Sequence, residues 1–211
     1  MTGIALITGL GNPGKEYEGT RHNAGEDFVR ALARQTGGVL RAESKFHGEI
    51  AEVLIGTRKL RLLVPTTFMN RSGRAVAALA NFYKLEPDQI LIAHDELDIP
   101  AGRARFKFDG GHGGHNGLRD IVPSLGNRRD FYRLRIGIGH PGSARQVSGY
   151  VLSKASPTER EATAGAIDEA LRALPMLLDG DLEKAMSRLH SFDGSPPHTL
   201  DATPRTGPPT K

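Results

Sequence analysis

Cysteine is absent from all 211 residues. That excludes disulfides, thiolate-bound metal centres and a cysteine nucleophile, and it is compatible with a reducing compartment. No apolar run approaches the roughly 20 residues that a membrane-spanning helix needs. Met1 to Leu10 is mostly apolar but has no basic leader and no small-residue cleavage site. It runs straight into a glycine-rich turn, which predicts a first strand rather than a signal peptide. There is no internal repeat, and no G-x-S-x-G elbow to carry a serine nucleophile.

Hydrophobic residues make up 38% of the chain and charged residues 25%, which predicts a soluble globular protein of one domain. The formal charge is +4 and the sequence pI about 9.5, but the charge is unevenly spread. Residues 101 to 145 hold nine basic side chains against three acids, a net +6 that leaves −2 for the rest. A basic segment on a near-neutral body suits a phosphate backbone, although a solvated surface produces the same pattern.

Strand and helix patterns alternate. Short apolar runs at Ile4–Ile7 and Gln89–Ala93 predict buried strands, and Phe46–Ile55 with Lys59–Val64 predicts a hairpin turning at Gly56. Arg103–Phe108 and Tyr132–Ile138 alternate basic and apolar residues, as strands with one wet face do. Helical spacing follows Asn23, whose Asn-x-x-Glu26 reads as a capping box, and follows Ser72, read as a second cap. It recurs after Asn116 to about Leu125, and from Pro157 through Leu178 and Leu182 to Leu189. The expected class is α/β, with a mixed, twisted central sheet between helices. Residues 1–192 form the expected domain. Residues 193–211 hold five prolines and few apolar residues, which predicts a disordered tail with no chemistry.

Gly9-Leu-Gly-Asn-Pro-Gly14 fits the letters of the G-x-G-x-x-G dinucleotide fingerprint. That motif needs a helix to open on its last glycines, and here Gly19 and Gly25 interrupt the following stretch, so a nucleotide-binding oxidoreductase is a poor reading. What the turn offers is Asn12, held just beyond the first strand. Asn70 and Asp95 also follow strands, and His22 precedes the first helix. Ligands gather beyond the carboxyl ends of strands in open α/β sheets, so Asn12, Asn70 and Asp95 are expected to converge on one crevice with His22 at its edge. A neutral histidine oriented by an aspartate can take a proton from water, and asparagine amides can donate to an oxyanion. The same residue types also serve as turn and capping residues. In Gly110-Gly-His-Gly-Gly-His-Asn-Gly117, His112 and His115 have a metal-like spacing without further ligands, and Asn116 can bond a sugar hydroxyl or place a water. Arg103, Arg105 and Lys107 share a strand face, as do Arg133 and Arg135, and such a face can clamp a phosphate.

Together the stretches Gly9–Gly14 with Tyr17, Thr20–Gly25, Val64–Asn70, His94–Asp98, Gly110–Gly117 and Arg133–Gly142 resemble the bacterial peptidyl-tRNA hydrolase family over roughly residues 4–192. The resemblance implies a cytoplasmic, monomeric enzyme that hydrolyses the ester between tRNA and a peptide or N-blocked aminoacyl group. It implies that His22 is the general base and Asp95 its support, that Asn12 separates N-blocked from free aminoacyl-tRNA, and that Asn70 and Asn116 position substrate and water. Tyr17, Phe68 and Met69 would line the site, and Lys107 and Arg135 would hold tRNA phosphate. No metal, cofactor or membrane is implied. Family members often carry a lysine just after the His-Pro-Gly turn, where this chain has Arg145 one position away. Plant organellar relatives that resemble the family work as RNA-binding splicing factors, which is the competing expectation.

Overall fold

The computed structural model describes residues 3–192; the Pro-rich tail lies outside the described residues. Seven strands form one sheet: β1 (Leu6–Gly9), β2 (Arg41–Glu43), β3 (Gly48–Ile55), β4 (Arg58–Pro65), β5 (Ile90–Glu96), β6 (Ala104–Phe108) and β7 (Tyr132–Gly137), in the spatial order β2-β3-β4-β1-β5-β7-β6. The four central strands β4, β1, β5 and β7 are parallel, and antiparallel partners flank them on both sides, so the sheet is mixed as expected.

The helices are α1 (Ala24–Thr36), α2 (Ser72–Tyr83), α3 (Asn116–Ser124), α4 (Val147–Val151), α5 (Pro157–Leu178) and α6 (Leu182–Ser191). α1, α5 and α6 bury Phe28, Leu32, Leu174 and Leu189 against one face, which also receives Ile7, Leu91 and Leu134. α2 and α3 bury Val76, Leu79 and Ile121 against the other, with Leu6, Ile90 and Ile92. Neighbouring residues of β1 and β5 thus point into different cores. Strands covered on both sides need apolar residues at every position, which is why these two read as continuous runs.

Two glycines set how close α1 comes to the sheet. A Cβ on Gly25 would stand 2.1 Å from the Ala93 carbonyl oxygen, and one on Gly9 would stand 2.3 Å from the Gly25 carbonyl oxygen. The first turn of α1 therefore rests on the strand backbone itself, and this brings the preceding residues down beside the end of β5.

The expected caps did not form. Asn23 occupies the N-cap position of α1 without a capping bond. Its Oδ1 instead accepts from the Asn12 N–H at 2.8 Å, while its Nδ2 donates to the Asn12 carbonyl at 3.0 Å and to Glu26 at 3.1 Å. The side chain is spent on the Gly-Asn-Pro-Gly turn rather than on its own helix. Ser72 lies one residue inside α2, and its hydroxyl donates back to the Met69 carbonyl at 2.8 Å.

Candidate active site

A cleft of about 730 Å³ opens beyond the carboxyl ends of β1, β4 and β5. Asn12, His22, Phe68, Met69, Asn70, Asp95 and Asn116 all line it. Asn12 comes from the turn after β1 and Asn70 from the 3-10 turn Met69–Arg71 after β4. Asp95 lies inside β5, its last residue but one, rather than after the strand, and Asn116 is the first residue of α3. His22 belongs to the 3-10 turn Arg21–Asn23. It is buried, with 7% exposure, rather than standing at the rim.

His22 Nδ1 lies 2.8 Å from Asp95 Oδ1. The same oxygen also meets His115 Nε2 at 2.9 Å. A carboxylate can only accept, so each imidazole presents an N–H to it. Burial alone would raise the Asp95 pKa, but the His115 and His22 imidazoles outweigh it and hold the carboxyl below the ordinary range.

The two histidines are then not equivalent. His115 Nδ1 accepts from the N–H groups of Gly117, at 3.2 Å, and Leu118, at 3.4 Å, which caps α3. Both of its nitrogens are occupied. His22 Nε2 has no hydrogen-bond partner among the described residues. Of the two, only His22 keeps a ring nitrogen without a hydrogen-bond partner among the described residues, and it lines the cleft.

Beneath them His94 is fully buried. Its Nδ1–H donates to the Asp95 carbonyl at 2.7 Å, and its Nε2 has no partner among the described residues. Burial, then the neighbouring His115, push its pKa down to about 3. It is a neutral spacer under the site.

The orientation of the asparagines follows from their donors. The backbone N–H of Met69 donates to Asn12 Oδ1 at 2.8 Å, so the Asn12 amide NH₂ is the group left for the cleft. Arg119 donates to Asn116 Oδ1 at 3.2 Å, which likewise leaves the Asn116 NH₂ available. Asn70 is exposed on the cleft wall. Met69 is buried and Phe68 is 54% exposed. Tyr17 packs edge-on against Phe68, with ring centroids 6.2 Å apart.

The basic residues divide by role. Arg105 pairs with Arg135, and Lys107 with Arg133, across β6 and β7, so all four share one face. Arg105 and Lys107 are exposed. Arg135 is half-buried and pairs with Glu96, itself a cleft residue, at 2.9 Å. Arg133 corrects the expectation of a phosphate-binding pair on β7. It is buried, and its guanidinium donates to the carbonyls of Gly110 and Gly111, pinning the glycine-histidine loop. Arg145 is exposed in the turn Ala144–Gln146, beside the cleft.

The spacing of His112 and His115 did not make a metal pair. His112 Nδ1 accepts from the Gly114 N–H at 3.0 Å within the loop. The metal-capable group among the described residues is His22, Asp95 and His115, whose ligand atoms lie within 4.8 Å of one another. The Asp95 contacts have the lengths of charge-assisted hydrogen bonds, which account for all three side chains without an ion. The Gly-rich turn is followed by a 3-10 turn, Lys15–Tyr17, and α1 opens only at Ala24, so the pyrophosphate-binding helix of a dinucleotide site is missing there.

Sequence reasoning overlooked the partnership of His115 with Asp95, the anchoring role of Asn23, and the α4 wall, where Val147, Val151 and Leu152 line the cleft. The one local signal for His115 was its place directly before a helix.

A family model described as peptidyl-tRNA hydrolase matches residues 6–197. A curated relative of that name from Chromohalobacter salexigens is 61% identical over 193 residues, covering 92% of this chain and 100% of its own length. One from Shewanella halifaxensis is 58% identical over 192 residues, covering 91% and 99%. A crystal structure of peptidyl-tRNA hydrolase from Acinetobacter baumannii superposes with a TM-score of 0.89 at 51% identity, covering 92% of this chain and 98% of that one.

Proposed function

The chain belongs to the peptidyl-tRNA hydrolase family, whose enzymes cleave the ester joining a peptide to tRNA, and we propose that here His22 draws the proton from the attacking water while Asp95 holds it in the active tautomer. One observation carries this reading: His22 has Nδ1 engaged by a buried carboxylate and Nε2 unoccupied, in a residue that lines the cleft. Nε2 takes the proton as water adds to the ester carbonyl, and the imidazolium so formed is stabilised by Asp95. Breakdown of the tetrahedral intermediate returns that proton to the ribose oxygen. An acyl ester is already activated, so a base worth about 10²–10⁴-fold and an oxyanion donor worth about 10²–10³-fold suffice without a cofactor.

The asparagines supply the dipoles. Asn12 turns its NH₂ toward the substrate because Met69 claims its oxygen. A donor at that point welcomes the amide carbonyl of an N-blocked residue and opposes the ammonium of a free aminoacyl group. Asn70 and Asn116 place the water and the terminal ribose, and Phe68, with Tyr17 behind it, flanks the acyl group. Lys107 and Arg135 hold tRNA phosphate. The enzyme acts as a monomer in the cytoplasm, where stalled or aborted translation leaves its substrate.

The test is release of N-acetyl-amino acid from N-acetyl-aminoacyl-tRNA in the presence of a chelator. The free aminoacyl-tRNA and the His22→Ala protein serve as controls. Cleavage of the blocked substrate, sparing of the free one and a dead variant that still binds tRNA are expected. Turnover surviving in His22→Ala would mean that another group is the base.

A further inference from the structure

Arg21, immediately before His22, is bound to the segment that follows Val151 and Leu152 of the cleft and not to its own segment. Its Nη1 donates to Ser153 Oγ at 2.7 Å and to the Lys154 carbonyl at 3.2 Å, and its Nη2 pairs with Glu159 at 2.8 Å. The guanidinium lies 4.1 Å from the centre of the Tyr150 ring. The backbones join as well: Arg21 N–H donates to the Ser153 carbonyl at 3.2 Å, and Thr20 forms an antiparallel bridge with Lys154. The Arg21 side chain is only 11% exposed.

Glu159 is itself fixed, since it completes the capping box of α5 with Ser156. One side chain therefore clamps the end of α4 and the start of α5 to the residue beside the catalytic histidine. The segment it clamps forms the apolar wall of the cleft through Val151 and Leu152. A wall of that composition suits the peptide, and the cations suited to RNA lie on β6 and β7.

We propose that Arg21 is a positioning residue for the acyl half of the substrate. It fixes the α4 wall beside His22, so that the wall holds a peptide equally well before and during ester cleavage, a binding contribution that grows with peptide length. Several planar donors are needed to reach the Ser153, Lys154 and Glu159 acceptors together, and a lysine cannot replace them. The inference rests on the reading of His22 as the base.

The experiment compares Arg21→Lys, Glu159→Gln and Ser153→Ala on two substrates, N-acetyl-aminoacyl-tRNA and an N-blocked tetrapeptidyl-tRNA. For Arg21→Lys, KM for the tetrapeptidyl substrate is expected to rise about tenfold, with kcat within about twofold of the wild type. KM for the short substrate should change much less. Glu159→Gln and Ser153→Ala, which alter the clamp without touching the cleft, should shift the same parameter in the same direction by smaller factors. Adding Glu159→Gln to Arg21→Lys should cost less than the two separate effects combined. The proposal is overturned if the variants lower kcat equally on both substrates with KM unchanged, or if only thermal stability falls. His22→Ala measured alongside separates the two ideas: residual turnover there would remove the base assignment, while the dependence of KM on peptide length would still decide the role of Arg21.

Discussion

Replacing Asp95 by asparagine keeps the shape of the side chain and removes its charge. In the wild type the carboxylate lies 2.8 Å from His22 Nδ1, with both charges spread over several atoms, so the effective separation once His22 has taken a proton is about 4 Å. At that distance and an effective dielectric constant of about 20, the attraction is about 4 kcal/mol. Each 1.36 kcal/mol is about a factor of ten in rate, so kcat should fall by about 10³-fold. The asparagine NH₂ can also turn toward Nδ1, which would place the imidazole proton on Nε2 and add to the loss. KM should hardly change, because Asp95 is buried and its Oδ1 is engaged by the two imidazoles. Single-turnover release of N-acetyl-amino acid measures the chemical step, and a thermal melt monitors the fold. His115→Ala provides the internal comparison: it leaves His22 and Asp95 paired and should cost about tenfold or less. If Asp95→Asn lost less than tenfold in kcat, the carboxylate would not be stabilising the imidazolium and the dyad argument would fail.

Further outcomes are expected elsewhere. Lys107→Ala should raise KM and lessen the slope of log KM against log salt by about 0.9, the share of one phosphate contact on a duplex; Arg135→Ala should do less, since Glu96 already holds part of that charge, and an unchanged slope in both would move the tRNA contact to another surface. Gly25→Ala would drive a methyl group into the Ala93 carbonyl, at a cost of about 3 kcal/mol. For a chain of this size that lowers Tm by roughly 6–12 °C, and a melt within 2 °C of the wild type would contradict the close approach. His94 is a base whose pKa burial and the neighbouring His115 push from 6.5 to about 3 on folding. The unfolded chain takes up that proton first, so the contribution of His94 to stability is full above pH 6.5 and is lost as the pH falls from there toward 3. Urea unfolding should therefore show stability falling across that window, and His94→Asn should flatten the fall; parallel curves would assign the acid sensitivity to other groups.

The sequence made the central architecture visible where burial leaves a periodic mark. β1 and β5 are covered on both faces and read as unbroken apolar runs, and β6 alternates because Arg105 and Lys107 face water while Phe106 does not. β2 left no mark: it is a three-residue edge strand whose residues are all exposed. α4 is little more than one turn, too short for a helical period to register. At the site, the types and positions of His22, Asp95 and the asparagines relative to strand ends were legible from general rules about open α/β sheets. The second imidazole on Asp95 was not, because the contact joins residues 20 apart through a glycine-rich loop that local spacing cannot trace. Nor could charge alone separate Arg133 from Arg135. The two lie on one strand face, but only the fold decides which guanidinium turns to a loop carbonyl and which to an acid.

The parallel pairing of β1 with β5 also has a consequence in time. It places Leu6 beside Ile90, and it brings His22 to an aspartate 73 residues further along the chain. Contacts of such long range close late in folding. Recovery of turnover is therefore expected to track the last assembly step, a useful reporter in a chain without tryptophan. During synthesis the enzyme is itself a peptide esterified to tRNA. Until β5 has been made, the growing copy holds His22 but not the Asp95 that pairs with it.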